Sequence, residues 1–493
     1  MKKILLFVVG FASLTIQSQE IQDAVRYSLD DMTGTARFRA MSGAFGALGG
    51  DLSAINMNPA SSVIFNTNQV GFTFSNHSKN NESTYFGTYT EQCDSSFDMN
   101  QFGSVFVFHN NDANWKKFAF AINYENENRL DNSVFSAGVN PTTSIDSYFL
   151  NYANGIPLGT LQSNLYALNY GEQQAFFGYN GYIISPVTEN LSNTQYVSEV
   201  PAGGNYYQDN YVESYGFNGK VAFNLATQYK DFLSFGINLN AHFVDFNRAS
   251  SFYEKNTNNL ENGVQDVLFE NFLYTYGSGF SVQVGTIFKA TQNLRFGASY
   301  ESPTWYNLND EFTQRLYATN RVNGVTFNDI VDPRILNIYP SYEVQTPEKW
   351  SASAAYIFGK SGLISFDYTL KNYSHTKLKP ENDYVFRNLN TEMANILNNA
   401  NEFRVGAEYK IKELSIRGGY RFEESPYKNG KTLGDLTSFS GGLGYNFGYF
   451  KLDFAYSYSQ RKSQEGFFTT GLTSPAFINT ITNSFTTSFI FEL

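Results

Sequence analysis

The sequence predicts an all-β protein, a 14-stranded antiparallel transmembrane β-barrel with an N-terminal plug and long extracellular loops. Three observations predict this fold. Fourteen short stretches alternate apolar and polar residues, as barrel strands do when every second side chain meets lipid. The connections between these stretches are short and long in strict alternation. Aromatic residues suited to a lipid-facing surface make up 17% of the chain, with 47 Phe and 35 Tyr.

Residues 1–18 are predicted to be an export signal. Lys2 and Lys3 form a positive start, residues 4–16 are apolar, and Ser18 precedes a cleavage point at Gln19. The apolar stretch is shorter than the ~20 residues that a membrane-spanning helix needs. Cleavage lowers the 34 basic residues to 32 against 45 acidic ones, a net charge of about −13, which argues against nucleic acid as a partner.

Residues 19–68 do not alternate and are predicted to form the plug. Small residues let this segment pack closely against a barrel wall, and a barrel of fourteen strands is wide enough to need filling. The predicted plug motif comprises Gly46, Gly49, Gly50, Asn58, Pro59 and Ala60. Its glycine-rich part lacks the Lys-Ser/Thr of a phosphate loop, so a plug is the better interpretation.

Residues 69–493 are predicted to form the transmembrane barrel. The alternation is cleanest near the end, where Leu452, Phe454 and Tyr456 alternate with Asp453 and Ala455. The predicted strands are 69–75, 101–109, 117–125, 215–229, 232–246, 278–289, 293–301, 348–358, 363–372, 402–411, 414–422, 439–447, 452–458 and 482–493.

The connections between these strands predict the topology. Short turns lie near residues 112, 231, 291, 360, 412 and 448. Long connections occupy 76–100, 126–214, 247–277, 302–347, 373–401, 423–436 and 461–481. In bacterial outer-membrane barrels the short turns face the periplasm, so both chain ends are expected there and the long loops outside. A soluble β-sandwich would have no reason to sort its connections in this way.

Two hairpins permit a check of strand register. A two-residue turn at Lys412 and Glu413 places apolar residues opposite apolar ones on a single face, as a barrel wall requires. A turn at Gly448 and Tyr449 does the same and places Tyr456 opposite Gly441, where an aromatic ring can cover a glycine. The predicted pairs are Ile411 with Leu414, Tyr409 with Ile416, Val405 with Tyr420, Phe403 with Phe422, Tyr445 with Leu452, and Leu443 with Phe454.

These segments resemble the FadL/TodX family of outer-membrane transporters for long-chain fatty acids and aromatic hydrocarbons. The resemblance rests on the small-residue segment 34–50, Asn58-Pro59-Ala60 before the first strand, residues 346–350 (TPEKW), and the closing blocks 441–445 and 452–456. It implies an N-terminal hatch, a hydrophobic ligand captured among the outer loops, and sideways release through the wall. The third strand, residues 117–125, departs from the family because it has no Gly or Pro to mark a kink.

Two sets of residues are candidate ligand contacts. Phe149, Tyr152, Phe176 and Phe177 lie in the 126–214 connection, where they either pack internally or capture a ligand. The register also places Arg404 opposite Arg421 inside the barrel, and Glu408 opposite Arg417. The two facing arginines are either neutralised by acids such as Glu402, Glu423 or Asp51, or they hold the carboxylate of a fatty acid.

Catalysis and cofactor binding are not expected. Cys93 is the only cysteine, and the four histidines lack metal-ligand spacing, so the sequence predicts no enzyme, metal or cofactor. Passive uptake of small hydrophobic molecules into the cell across the outer membrane is the first functional hypothesis. A scaffold or shuttle for protein secretion or surface attachment is the alternative.

Two further partners are expected. Outer-membrane lipids would surround the apolar face of the barrel. Phe485, Phe489, Phe491 and Leu493 form an alternating C-terminal strand like those that the barrel-assembly machinery reads.

Overall fold

The computed structural model describes residues 20–110 and 114–493, and it contains a closed barrel of fourteen antiparallel strands. The predicted signal segment lies outside the described residues. All fourteen predicted strands are present. They are β1 Gln69–Tyr85, β2 Thr88–His109, β3 Trp115–Arg129, β4 Tyr206–Tyr229, β5 Leu233–Lys255, β6 Gly263–Lys289, β7 Leu294–Glu301, β8 Lys349–Ile357, β9 Gly362–Asn372, β10 Asn399–Ile411, β11 Leu414–Glu423, β12 Leu433–Asn446, β13 Phe450–Gly466 and β14 Pro475–Glu492.

Pairing of β14 with β1 closes the barrel. The start of β1 and the end of β14 meet at the end of the barrel that carries the short turns, where Leu493 N–H donates to Asn68 O. We call this the inner end and the opposite one the outer end. The predicted topology is therefore confirmed for the barrel, whose first strand starts and last strand ends at the short-turn end.

The predicted register of both test hairpins is confirmed. Phe403 faces Phe422, Val405 faces Tyr420, and Tyr456 lies opposite Gly441. Outward positions are exposed aromatic and aliphatic side chains, whereas inward positions such as Glu408 and Arg417 are buried. This sorting places apolar groups where lipid would lie and charged groups in the lumen, because charge facing the bilayer midplane is destabilising.

The prediction that 76–100 is a long loop is wrong. This segment is the outer half of a β1–β2 hairpin, which turns tightly at Phe86 and Gly87, both with positive φ angles. The strands β4, β5, β6 and β13 likewise run past their predicted outer limits. A strand outside a membrane has no apolar face to maintain, so sequence alternation does not mark its full length.

The remaining outer segments fold over the barrel mouth. Within 126–214, the β3 continuation Asn132–Asn140 runs along β4 before the chain forms an apolar-cored lid. The lid contains the helices Asp146–Ala153, Leu158–Leu161 and Tyr170–Asn180 and the 3-10 turn Leu165–Ala167, and the hairpin of Ile184–Pro186 and Tyr196–Ser198 follows them. Later outer segments are Trp305–Val322, Val325–Val331, Asn337–Ile338, Tyr342–Gln345, the 3-10 turn Tyr373–His375, Lys377–Lys379 and the helix Tyr384–Ile396.

The segment before β1 occupies the lumen. Short helices at Ile21–Arg26 (the N-terminal helix), Ala36–Ala40 and Ala54–Met57, then a 3-10 helix at Pro59–Ile64, pass through it before β1 starts at Gln69. Ala36, Ala40 and Ala54 are fully buried. No helix among the described residues is long and apolar enough to cross a membrane.

Candidate functional site

Wall glycines allow the plug to approach the barrel closely. A Cβ atom at Gly285 would lie 2.1 Å from Asn58 Oδ1, and one at Gly236 would lie 2.3 Å from the Pro59 carbonyl carbon. At Gly297 a Cβ would lie 2.2 Å from Gly46 O. The alternation did not identify these glycines as contacts, because a position without a side chain carries no signal of the face it occupies.

The predicted plug motif lies at this contact. Asn58 Nδ2 donates to Gly46 O at 2.7 Å and to Thr286 O of β6 at 2.9 Å, while its Oδ1 accepts from Ala60 N. The structure thus brings Gly46, Asn58, Pro59 and Ala60 together. Gly49 and Gly50 lie apart, in a positive-φ turn beside Ile64.

Wall side chains supply hydrogen bonds that the irregular plug backbone cannot supply itself. Short helices leave several carbonyl groups without an internal partner. Polar side chains of the wall donate to these carbonyls: Asn224 to Pro59, Asn238 to Ile55, Gln283 to Asn56, Ser299 to Met57, Arg295 to Leu48 and Ser440 to Ala40, at 2.8 to 3.0 Å. The plug is therefore fixed by individual side chains.

Ion pairs add a second attachment, near the middle of the lumen. Asp30 of the plug accepts from Lys371 at 2.7 Å and from Lys349 at 3.0 Å. Beside them, Lys220 donates to Glu127 at 2.7 Å. These groups surround a cavity of only about 80 Å³, so the centre of the lumen is nearly filled.

The facing arginines have acidic neighbours. Arg404 lies opposite Arg421 as predicted, and Glu402 Oε1 accepts from both, at 2.8 and 2.5 Å. Glu423 pairs with Arg421 at 2.6 Å, whereas Asp51 bonds instead to Thr35. Binding of a ligand carboxylate by the two arginines stays a prediction, and it would require their guanidinium groups to be shared with Glu402.

Glu408 lies opposite Arg417, as the register predicts. Arg417 Nε donates to Glu408 at 2.7 Å, and Arg37 of the plug donates to the same carboxylate at 2.9 Å. The cross-strand pair therefore also attaches the plug.

The predicted loop aromatics lie in and around the core of the lid. Phe149 and Phe177 are 0% and 2% exposed and pack around Phe269 of β6. Tyr152 and Phe176 are partly buried against the same cluster. Ligand capture by these four residues stays a prediction. Their neighbours Tyr148 and Tyr170, rather than they, line a cavity.

Two cavities flank the N-terminal helix at the outer end. The first, of about 310 Å³, lies between this helix, the lid and the outer parts of β5, β6 and β13, and we call it the outer cavity. The second, of about 250 Å³, is the side cavity. Gln22, Val212, Arg248 and Glu465 line both cavities and separate them. Arg248 donates to Glu465 at 3.1 Å.

A further cavity of about 580 Å³ opens at the inner end. Arg37, Gly50 and Asp51 of the plug line it together with residues of the wall, including Arg295 and Lys412. The plug and its ion pairs therefore lie between the inner cavity and the two cavities at the outer end.

The wall is interrupted between β2 and β3. Their backbone pairing runs from His109 and Lys117 only as far as Gln101 and Glu125. Beyond that point β3 stays paired with β4 until it ends at Arg129. After Leu130 and Asp131, the β3 continuation pairs with β4 again. The break lies outside the 117–125 segment, which explains why that segment needs no Gly or Pro.

Side chains bridge this interruption, which we call the seam. Arg129 pairs with Asp98 of β2, and Asn126 Nδ2 donates to Asp98 at 3.1 Å. The plug also reaches the seam, because Asp31 Oδ2 accepts from the Arg129 N–H at 3.0 Å. Among residues 20–110 and 114–493, no backbone pairing joins 88–100 to the β3 continuation.

No group of His, Cys, Asp and Glu side chains in the described part of the chain has an arrangement that could hold a metal ion. The site residues predicted from the sequence lie in three places, which are the plug contact, the lumen wall and the lid. The cavities and the seam were not predicted, because they arise where strands end or diverge.

Comparison with known proteins gives a family and a set of structural neighbours. The family model described as outer membrane protein transport protein (OMPP1/FadL/TodX) matches residues 171–473, more than half of the chain. No curated protein matches the sequence.

The structural neighbours include a Pseudomonas aeruginosa FadL homologue, with a TM-score of 0.53 and 12% identity over 94% of this chain and 99% of that one. A structure of the Pseudomonas putida toluene transporter TodX has a TM-score of 0.52 and 13% identity, with the same coverage of 94% and 99%. At these identities the similarity shows the fold alone.

Proposed function

Because the chain belongs to the OMPP1/FadL/TodX family of outer membrane transport proteins, we propose that it is a passive transporter of small hydrophobic or amphipathic molecules in the cell outer membrane. The observation that carries this proposal is the seam beside a filled lumen. A solute that enters the outer end meets the plug and its ion pairs below, whereas at the seam the neighbouring strands β2 and β3 lack backbone hydrogen bonds to each other.

Sideways movement through the seam suits an apolar solute. Opening it would separate side-chain contacts such as Arg129 with Asp98, without breaking a ladder of backbone hydrogen bonds. A ladder would be costly to break in lipid, because each unsatisfied backbone group there is destabilising by several kcal/mol. An apolar solute that leaves this way passes directly into the bilayer and avoids water.

Uptake by cells tests the transport function. A strain that lacks the gene, and the same strain complemented with it, would receive radiolabelled solutes. These solutes would have equal tail lengths and anionic, neutral or cationic head groups. The proposal predicts faster uptake of at least one class by the complemented strain. Equal uptake of every class by both strains would contradict it, and a census of surface proteins in the same strains tests the secretion or attachment alternative.

Cross-linking tests the route. In a Cys93→Ser background, Asp98→Cys with Arg129→Cys would be joined by a short bis-maleimide. We expect uptake to fall to the rate of the deletion strain when the cross-link forms. The matched control is Ser438→Cys with Ser459→Cys, a facing pair in the continuous β12–β13 wall. Loss of uptake in the control alone, or in neither pair, would contradict the lateral route.

The C-terminal strand supports a proposal about assembly. In β14, Phe485 is 62% exposed, while Ser484, Thr486 and Ser488 on the opposite face are buried. We propose that the barrel-assembly machinery reads this strand. Phe485→Asp and Phe489→Asp together should reduce the amount of heat-modifiable folded protein in outer-membrane fractions.

A further inference from the structure

The outer cavity carries an excess of acidic groups. Its lining includes three carboxylates, from Glu20, Asp23 and Glu465, and a single guanidinium, from Arg248. Two of the carboxylates already have a basic partner. Asp23 pairs with Arg26 at 2.6 Å, and Glu465 pairs with Arg248 at 3.1 Å.

Glu20 is the carboxylate without such a partner. Within the described residues it forms no ion pair, although its backbone N–H donates to Asp23 Oδ2 at 2.9 Å. Burial, and next the nearby Asp23, raise the pKa of Glu20 to about 7. Arg26 and Arg248 lie near it, but each is already paired with another carboxylate, so a cation entering the cavity would add positive charge where acidic groups are in excess.

Aromatic rings line the same space. Tyr148 and Phe468 have ring centroids 4.5 Å apart, and Tyr170 and Phe312 have centroids 6.2 Å apart. Aromatic faces attract organic cations through the ring quadrupole. Rings and carboxylates in one cavity are the combination that binds an alkylammonium group.

The neighbouring side cavity offers room for an apolar tail. Val25, Leu29, Val134, Phe246 and Leu433 contribute to its lining. Gln22, Val212 and the Arg248–Glu465 pair line both cavities. An amphiphile could therefore place its head in the outer cavity and its tail beside the N-terminal helix.

We propose that the outer cavity binds the ammonium group of a cationic amphiphile, so that alkylamines and quaternary alkylammonium compounds form a ligand class of this protein. The proposal rests on the proposed transport function. An anionic head group would meet three carboxylates and a guanidinium already held by Glu465. A hydrocarbon would displace water from these carboxylates without replacing its interactions, which is unfavourable.

Binding of three short probes to the full processed protein tests the inference. Hexyltrimethylammonium, hexanol and hexanoate share a tail length and differ in head-group charge. Calorimetry in a non-ionic detergent should give about tenfold tighter binding of the ammonium than of hexanol, within the range expected for a desolvated cation–π site. Hexanoate should bind more weakly than hexanol.

Two variants locate the site, and a third serves as a control. Glu20→Gln should reduce ammonium affinity about fivefold, and Phe468→Leu should reduce it similarly by removing a ring, while hexanol affinity stays within about twofold. Glu413→Gln makes the same chemical change at an exposed turn of the inner end and should leave the affinities for ammonium and hexanol unchanged. Heat-modifiable migration confirms that each variant is folded.

The outcomes separate the inference from the function on which it rests. Equal binding of all three probes, tightest binding of hexanoate, or an ammonium affinity unchanged in both Glu20→Gln and Phe468→Leu would overturn the inference. Transport measured in cells would still stand in each of those cases. If no probe binds and the cellular uptake comparison also shows no difference, both the inference and the proposed function are overturned.

Discussion

The wall of the barrel and the plug inside it are held by different kinds of contact. Strands β5 and β6 pair continuously from Leu233 opposite Phe288 to Lys255 opposite Asp266. Within the described residues the plug has no such ladder with the wall and depends on isolated contacts, such as Asn238 donating to Ile55 O and the Asp31 N–H donating to Glu127 O. Backbone pairing tolerates most side-chain changes, whereas the plug contact depends on particular residues. A substitution that displaces the plug should therefore leave the wall folded, and a substitution that weakens the wall is a separate effect.

Deletion of residues 19–60 should produce the largest effect. The strands satisfy their own backbone hydrogen bonds, so we expect a barrel that still inserts, while loss of the plug opens the lumen. Conductance in planar bilayers should rise from a closed baseline to a steady open level. A deletion variant as silent as the parent would mean that the outer lid, rather than the plug, closes the barrel.

Replacement of Arg404 and Arg421 by Gln should weaken the wall itself. Glu402 would then remain buried without its two partners, which is destabilising by about 3–5 kcal/mol. Urea unfolding in lipid vesicles measures this loss. Because Glu402 and Glu423 already engage the arginines, we expect oleate and an alkane of similar length to be affected equally. Selective loss of oleate binding would instead establish the predicted carboxylate site.

Gly285→Val should disturb the plug contact while leaving the ladder intact. Its new Cβ would overlap Asn58 Oδ1, and overpacking of this kind costs roughly 1–3 kcal/mol. We expect intermittent conductance, at a level below that of the deletion. Gly418→Val is the matched control, since the nearest atom to a Cβ there is Ser440 O at 3.8 Å. Equal conductance in both variants would show that the plug does not depend on this close approach.

The smallest expected effect is the pH dependence of ammonium binding. Glu20, whose pKa is raised to about 7, carries its charge above that pH and loses it below. The titratable and charged groups around it include Asp23, Arg26, Arg248, Glu465, Tyr148, Tyr152, Tyr170 and Tyr427. Hexyltrimethylammonium, which does not titrate, should therefore bind about threefold more weakly at about pH 6 than at about pH 8. Glu20→Gln should remove this dependence, and a slope that persists in the variant would assign it to another group.

Prediction from the sequence succeeded where the surroundings of a strand require apolar and polar side chains to alternate. Lipid outside and charge inside require alternation, which is why the pairing of Phe403 with Phe422 and of Arg404 with Arg421 could be derived. It failed for 76–100, which forms strands although its apolar and polar residues do not alternate regularly. The seam between β2 and β3 and the cavities around the N-terminal helix depend on how distant segments meet, and local patterns do not encode that.

The wall glycines have a consequence for how this chain can evolve. Gly236, Gly285 and Gly297 each lie against backbone or side-chain atoms of the plug, so a mutation that adds a side chain at one of them is tolerated only with a compensating change in the plug. Drift at these wall positions is coupled to drift in residues 46–60. A lineage that lost the plug would be released from this constraint, and its wall glycines would be expected to diversify before its lipid-facing aromatics.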